Sequence, residues 1–295
     1  MCVTTFISKH LFLFFVVPQL VMVFYALTKI GLNECYADRE AFKMDGIFAL
    51  LNPYNWTLVI SVLIIGLSCL RKKADGTLVF VVNTLNQFLN GYMFHRSIYY
   101  FVGCFKVFLN DKTCSVGNKK LNGISGHFFT AVYFMAIFIR LIKQVDFLPK
   151  TSSLVSFEIP RDKTSTFRDI LFHMFRLDVT GKGLQKFVLY CLLLSYYFVC
   201  LATTCLTLFH GYHTPLQVIY GIFVGIISIL VYAVFLWVPF KYRSFINLFL
   251  IVLAYSLFCI VSGYHMRFSY FYITGGVAVV LTGVQLLTEA HKNAE

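Results

Sequence analysis

Eight apolar stretches, at residues 11–29, 53–70, 77–101, 127–143, 187–209, 216–238, 245–262 and 268–287, constrain this chain more than any other feature. Crossing the hydrocarbon core of a bilayer takes about 20 mostly apolar residues, and a helix is the one single-segment structure that satisfies its own backbone hydrogen bonds there. The spacing therefore predicts an all-α, polytopic membrane helix bundle. Residues 1–243 form a six-helix core with a cytosolic loop at 144–186, and residues 244–295 add two further transmembrane helices and a short tail. Composition agrees: 13% of the 295 residues are charged, against roughly 25% in an ordinary soluble domain. The first stretch carries Pro18 and no small-residue cleavage site, so it reads as a retained helix rather than a removed signal peptide.

The net charge of +12 raises nucleic acid as a partner, but in a membrane chain the distribution of basic residues matters more than their sum. Lys29, Arg39, Lys43, Lys106, Lys112, Lys119, Lys120 and Arg267 fall on one side and Arg96 lies inside the third stretch; the other 16 of the 25 Lys and Arg fall on the opposite side. The excess, including the short Arg71-Lys72-Lys73 loop, predicts that both termini face the cytosol, and no nucleic acid is expected. The 9 cysteines are scattered; Cys35, Cys104 and Cys114 share the non-cytosolic side, with connectivity open. No HExxH, CxxC or paired carboxylates point to a metal, and no cofactor is expected.

Polar side chains inside a span turn toward the bundle interior or a water-filled cavity. Asn83, Asn86, Gln87 and Asn90 recur at helical spacing in the third stretch, where amides commonly bond neighbouring helices. Arg96 follows; it either pairs with an anion such as a substrate phosphate or reaches for the interface.

Two short segments carry the chemistry. Asn122-Gly123-Ile124-Ser125-Gly126-His127-Phe128-Phe129 leads into the fourth stretch, and Tyr212-His213-Thr214-Pro215-Leu216-Gln217-Val218-Ile219-Tyr220-Gly221 leads into the sixth. Both enter from the non-cytosolic side, so His127 and His213 are predicted to share one membrane face. Ser125 is expected to cap the fourth helix, and Thr214 followed by Pro215 to open the sixth. Helix N-termini expose unpaired N–H groups that suit a phosphate, and histidine beside a phosphate serves as nucleophile or general acid. Gly221 and Gly225 form a small-xxx-small pattern that favours close packing within the bundle.

Ile124-Ser125-Gly126-His127 with Phe129, and Tyr212-His213-Thr214 with Gly221, resemble the fat storage-inducing transmembrane (FIT) proteins, distant relatives of the type 2 phosphatidate phosphatase superfamily. The resemblance covers the six-span core. It implies a multi-pass endoplasmic reticulum protein that hydrolyses the diphosphate of fatty acyl-CoA on the lumenal side and supports lipid-droplet biogenesis and lipid homeostasis, with triacylglycerol and diacylglycerol among its lipid contacts. By that resemblance His213 is the nucleophile that forms a phosphohistidine and His127 the acid for the leaving group. Ser125 and Gly126 bind phosphate and the position of Gln217 orients the imidazole; Thr214 and Arg96 are phosphate-binding or orienting candidates from their own placement at a helix start and inside a span. Two departures stand out: Gln217 occupies a position that is acidic in relatives, and Gly123 one that is usually Asp. Restoring the acid, Gln217→Glu, is therefore expected to raise turnover. A lipid phosphate phosphatase or phosphotransferase is the second enzyme reading, and a non-catalytic neutral-lipid binding protein of the same fold the third.

Overall fold

The computed structural model describes residues 11–35, 56–57, 59–63, 66, 77–114, 123–147, 184–263, 276–277, 279–280 and 282–283. Every regular element among them is helical: α1 Leu11–Ile30, α2 Thr77–Leu109, α3 Gly126–Phe147, α4 Leu184–Phe209, α5 Pro215–Phe235 and α6 Phe240–Ser262. Cys191–Phe209 in α4, Pro215–Phe235 in α5 and Tyr242–Ser262 in α6 are long and apolar enough to cross a membrane. Phe15–Ile30 and Gly126–Leu141 are apolar but shorter. The described residues of the second and eighth apolar stretches are helical as well. Most of the 144–186 loop lies outside the described residues.

Helix limits depart from the hydropathy limits because a helix continues wherever its backbone bonds do, whether or not lipid surrounds it. α2 runs on past Phe101 to Leu109, and at 33 residues it is about 50 Å long, well beyond a hydrocarbon core of about 30 Å. The overhang carries its last turn, and the loop after it, to the histidine end of the bundle. α6 starts at Phe240 rather than 245, opened by Pro239, whose carbonyl accepts the Tyr242 N–H at 2.9 Å.

α3 is the hub, packed against α1, α2, α4 and α5. Residues from Phe128 to Ile139 are buried without a break. Its aromatic side chains interlock with neighbours: Phe138 meets Tyr196 of α4 edge-on at 5.0 Å between ring centroids, and Phe129 stacks on His95 of α2 at 4.6 Å. The outer surface is apolar too. Phe24, Phe108, Phe198, Phe223, Phe249 and Ile260 are all more than half exposed, an arrangement whose natural solvent is lipid.

α3 and α5 run side by side in the same direction, because Gly221 abuts Ser125 and Phe128 while Gly225, one turn on, abuts Val132 and Phe129. A Cβ at Gly221 would lie 2.5 Å from the Ser125 carbonyl oxygen, and one at Gly225 would lie 2.9 Å from the Val132 Cβ. The small-xxx-small pattern thus serves packing inside the bundle.

α6 lies against α2, also in parallel: Asn90 pairs with Ser244 and Asn247, and Gly103 faces Phe258. Asn86 and Asn90 are the glue expected of the third stretch, whereas the buried Gln87 amide has no hydrogen-bond partner among the described residues. Asn90 Nδ2 donates to Asn86 Oδ1 at 2.8 Å and to Ser244 Oγ at 3.0 Å, Asn247 Nδ2 donates to Asn90 Oδ1 at 2.8 Å, and Asn86 Nδ2 donates to Thr282 Oγ1 at 3.0 Å. The side chain of Asn83 lies outside the described residues. The boundary drawn at 243 falls within α6, whose Arg243 caps α5 by donating to the Leu236 and Val238 carbonyls at 2.5 and 2.7 Å.

Candidate functional site

The ends of five helices gather at one pole of the bundle, and each is stopped or started by local chemistry. α4 ends where Gly211 takes φ +69°, a left-handed conformation that glycine enters without a Cβ clash. The turn lets the Thr207 carbonyl accept the N–H groups of both Tyr212 and His213, at 3.0 and 3.1 Å. Thr214 then caps α5: its Oγ1 accepts the Gln217 N–H at 3.2 Å, while Gln217 Oε1 accepts the Thr214 N–H at 3.2 Å, with Pro215 in the first turn. This reciprocal box satisfies two donors that a helix start otherwise leaves open.

α3 starts beside it. Ser125 donates its N–H to the Gln217 carbonyl at 2.9 Å, and its own carbonyl accepts the Phe129 N–H at 3.2 Å. Ser125 thus stands at the cap position through its backbone alone. Its hydroxyl does not cap the helix as the sequence suggested; it is fully buried and has no hydrogen-bond partner among the described residues. The reason is the close approach of Gly221, which presses the Ser125 backbone and Cβ against α5.

Two helix starts locked in this way bring His127 and His213 together with ring centroids 6.4 Å apart and planes inclined at 63°. His127 is partly exposed and His213 is 6% exposed. His213 Nδ1 lies 3.1 Å from Gln217 Oε1, so an Nδ1–H donates to the amide oxygen and Nε2 keeps its lone pair. Burial, followed by the neighbouring His127 and Lys106, pushes the His213 imidazole down to about 3 against the opposing effect of the Gln217 hydrogen bond. At neutral pH it is an uncharged base.

Two contributors were not foreseen. Lys106, on the overhanging end of α2, acts electrostatically on His213. Asp111, just past that end, accepts the Gln217 Nε2–H at 2.8 Å on Oδ2 and the Thr113 N–H at 2.8 Å on Oδ1. Burial alone would raise the Asp111 carboxyl; the hydrogen bonds from Thr113 and Gln217 outweigh it and hold the group below the usual carboxylate range. Asn110 turns the chain at φ +45°, and a disulfide from Cys114 to Cys35 ties the Asp111 loop to the end of α1, with Cα atoms 5.7 Å apart. Of the three cysteines grouped by sequence, Cys104 is left buried and free.

Ser125, Gly126, His127, His213, Thr214 and Gln217 thus share one pole. Arg96 is engaged along its own helix instead, donating from Nε to the Tyr92 hydroxyl at 3.1 Å, with its guanidinium over the Tyr92 and Tyr99 rings at 5.2 and 5.6 Å. No group of three or more His, Cys, Asp or Glu among the described residues is arranged to hold a metal. A neutral imidazole, a second imidazole within reach, a lysine and an unsatisfied buried hydroxyl form a constellation suited to an anion. In class, this is an all-helical protein with helices able to cross a membrane and a polar histidine pair at one pole. Compared with known protein families, curated proteins and solved structures, the chain has no match.

Proposed function

We propose that the protein is an endoplasmic reticulum membrane diphosphatase that hydrolyses the phosphoanhydride of fatty acyl-CoA, in the manner of the FIT-like motifs. The observation that carries this reading is the His127–His213 pair, 6.4 Å apart at two helix starts. A phosphoanhydride held between the rings would meet one ring nitrogen at phosphorus and the other at its leaving oxygen, at near-attack contacts of about 3 Å each.

His213 Nε2 attacks one phosphorus in line and the P–O bond to the second phosphate breaks. His127, held as imidazolium by the charge of the bound diphosphate, gives its proton to the departing oxygen. Neutral His127 next takes a proton from water, the water oxygen attacks the phosphorus held on His213, and the P–N bond breaks to release the phosphate ester of whichever arm that phosphorus carried and to regenerate His213. The products are acyl-phosphopantetheine and adenosine 3′,5′-bisphosphate. Lys106 offers positive charge to the substrate, and the Ser125 hydroxyl and the Gly126 N–H offer donors to phosphate oxygens. The acyl chain lies along the apolar outer surface.

The pole's disulfide supports an oxidising compartment on that side, hence a lumenal site and cytosolic termini. The test is hydrolysis by the purified full chain in detergent, on a panel of acyl-CoA, lysophosphatidate and phosphatidate. The expected result is release of adenosine 3′,5′-bisphosphate from acyl-CoA, reduced at least about 100-fold in His213→Ala and in His127→Ala. Preference for the phosphate monoesters favours the lipid phosphatase reading. Wild-type turnover in both variants overturns the histidine mechanism, and a wild type that hydrolyses none of the panel leaves only lipid binding.

A further inference from the structure

We propose that Asp111 is the positioning residue for His213, acting through the side-chain amide of Gln217. This rests on the histidine-nucleophile reading above and adds to it a carboxylate that comes from the loop after α2. The two ends of a glutamine amide are distinguished only by their partners, and here every partner agrees. Nε2 faces two groups that can only accept, Asp111 Oδ2 at 2.8 Å and the Thr113 carbonyl at 3.2 Å. Oε1 faces a group that can only donate, the Thr214 N–H at 3.2 Å. His213 Nδ1 meets the same Oε1 at 3.1 Å and must therefore carry the ring's proton. The neutral imidazole consequently presents a bare Nε2, the form a nucleophile needs. A reversed amide would offer N–H to Nδ1, move the proton to Nε2 and silence that nitrogen.

The carboxylate is built in. Thr113 holds its other oxygen, the disulfide at Cys114 anchors its loop, and Gly123 leaves it space: a Cβ there would stand 3.3 Å from Asp111 Cβ. An ionised acceptor also polarises the amide, strengthening its oxygen as partner for the imidazolium that forms as His213 becomes phosphorylated.

This geometry reverses the expectation for Gln217→Glu. An acid introduced at 217 would face Asp111 at the present 2.8 Å contact and repel it, so turnover falls. The exchange Asp111→Asn with Gln217→Glu restores an acid–amide pair in the opposite order and restores turnover.

The test uses the full chain, histidine-labelled with nitrogen-15 in lipid nanodiscs, with the His213 signals identified by their loss in His213→Ala. Wild type should show a protonated Nδ1 and an unprotonated Nε2. Asp111→Asn should mix the two tautomers and lower kcat for acyl-CoA about tenfold, the scale of one charge-assisted hydrogen bond, with KM within about twofold. The double exchange should regain the wild-type tautomer and come within about threefold of wild-type kcat. An Asp111→Asn protein with unchanged tautomer and kcat overturns the proposal, as does a folded double exchange that stays at or below the level of Gln217→Glu. If Asp111→Asn fails to fold, the double exchange decides alone. Wild-type protein that hydrolyses nothing yet shows the tautomer change ends the functional reading and leaves the positioning role standing. Activity that depends on His213 but ignores Asp111 does the reverse.

Discussion

At the scale of single residues, the informative groups are those whose environment differs from what their type prefers. His213 is the clearest. Its folded-state value of about 3 lies below the roughly 6.5 of an unfolded histidine. Between those limits the unfolded chain binds a proton that the folded chain does not. Stability is therefore intact above about pH 6.5 and declines as the pH falls toward 3, by up to about 1.4 kcal/mol per pH unit for one group. Thermal unfolding in detergent at pH 7 and pH 4.5 should show a larger loss for wild type than for His213→Asn; equal losses would remove His213 as the source. The Ser125 hydroxyl is a second such group. Because it bonds to nothing described, Ser125→Ala should leave the unfolding temperature nearly unchanged while weakening turnover, and a large thermal loss with intact turnover would assign it to structure.

At the scale of elements, the glycines of α5 and the amides of α2 make opposite demands on their neighbours. Gly221 permits contact of α5 with the Ser125 backbone, so Gly221→Ala forces the two histidine-bearing helix starts apart and should cost about 1–3 kcal/mol along with nearly all of the proposed activity. Gly66, where a Cβ would meet nothing within 4 Å, is the control expected to tolerate alanine. The amide network between α2 and α6 is a bracing device: Asn90→Leu deprives Asn86, Ser244 and Asn247 of a shared partner and should lower stability by about 1–2 kcal/mol, with KM unmoved. A KM change larger than the stability change would mean that the network reaches substrate.

Hydropathy made the helices legible because burial in lipid requires long apolar runs, and the Thr214-Pro215-x-Gln217 pattern is legible because its bonds are local. The convergence of His127 and His213 followed from counting spans. Asp111 and Lys106 gave no such signal. One sits in a loop and the other on a helix overhang, and their importance comes from contacts across roughly 100 residues of sequence (111 to 217). The Cys35–Cys114 pairing and the attachment of α6 to α2 are likewise long-range facts that no local pattern encodes.

At the scale of the whole molecule, α1, α2 and α4 end, and α3 and α5 begin, at the same pole. That pole carries a disulfide, and the sequence predicts most of the basic residues on the opposite side, so the proposed orientation places the site in the lumen. A cysteine introduced at Asn122 should escape an impermeant maleimide in intact microsomes and react after permeabilisation; labelling of intact microsomes would turn the molecule over.

The most direct test of a nucleophilic His213 is to mix the purified full chain with acyl-CoA, quench within a turnover under alkaline conditions that preserve phosphohistidine, and map the modified peptide by mass spectrometry. The account predicts on His213 a phosphoryl group that still carries the acyl-pantetheine or the adenosine 3′-phosphate arm, absent in His213→Ala and accumulating in His127→Ala if the hydrolytic step slows more than the attack. That adduct on another residue, or turnover of acyl-CoA with His213 unmodified at every quench time and undiminished in His213→Ala, would contradict it.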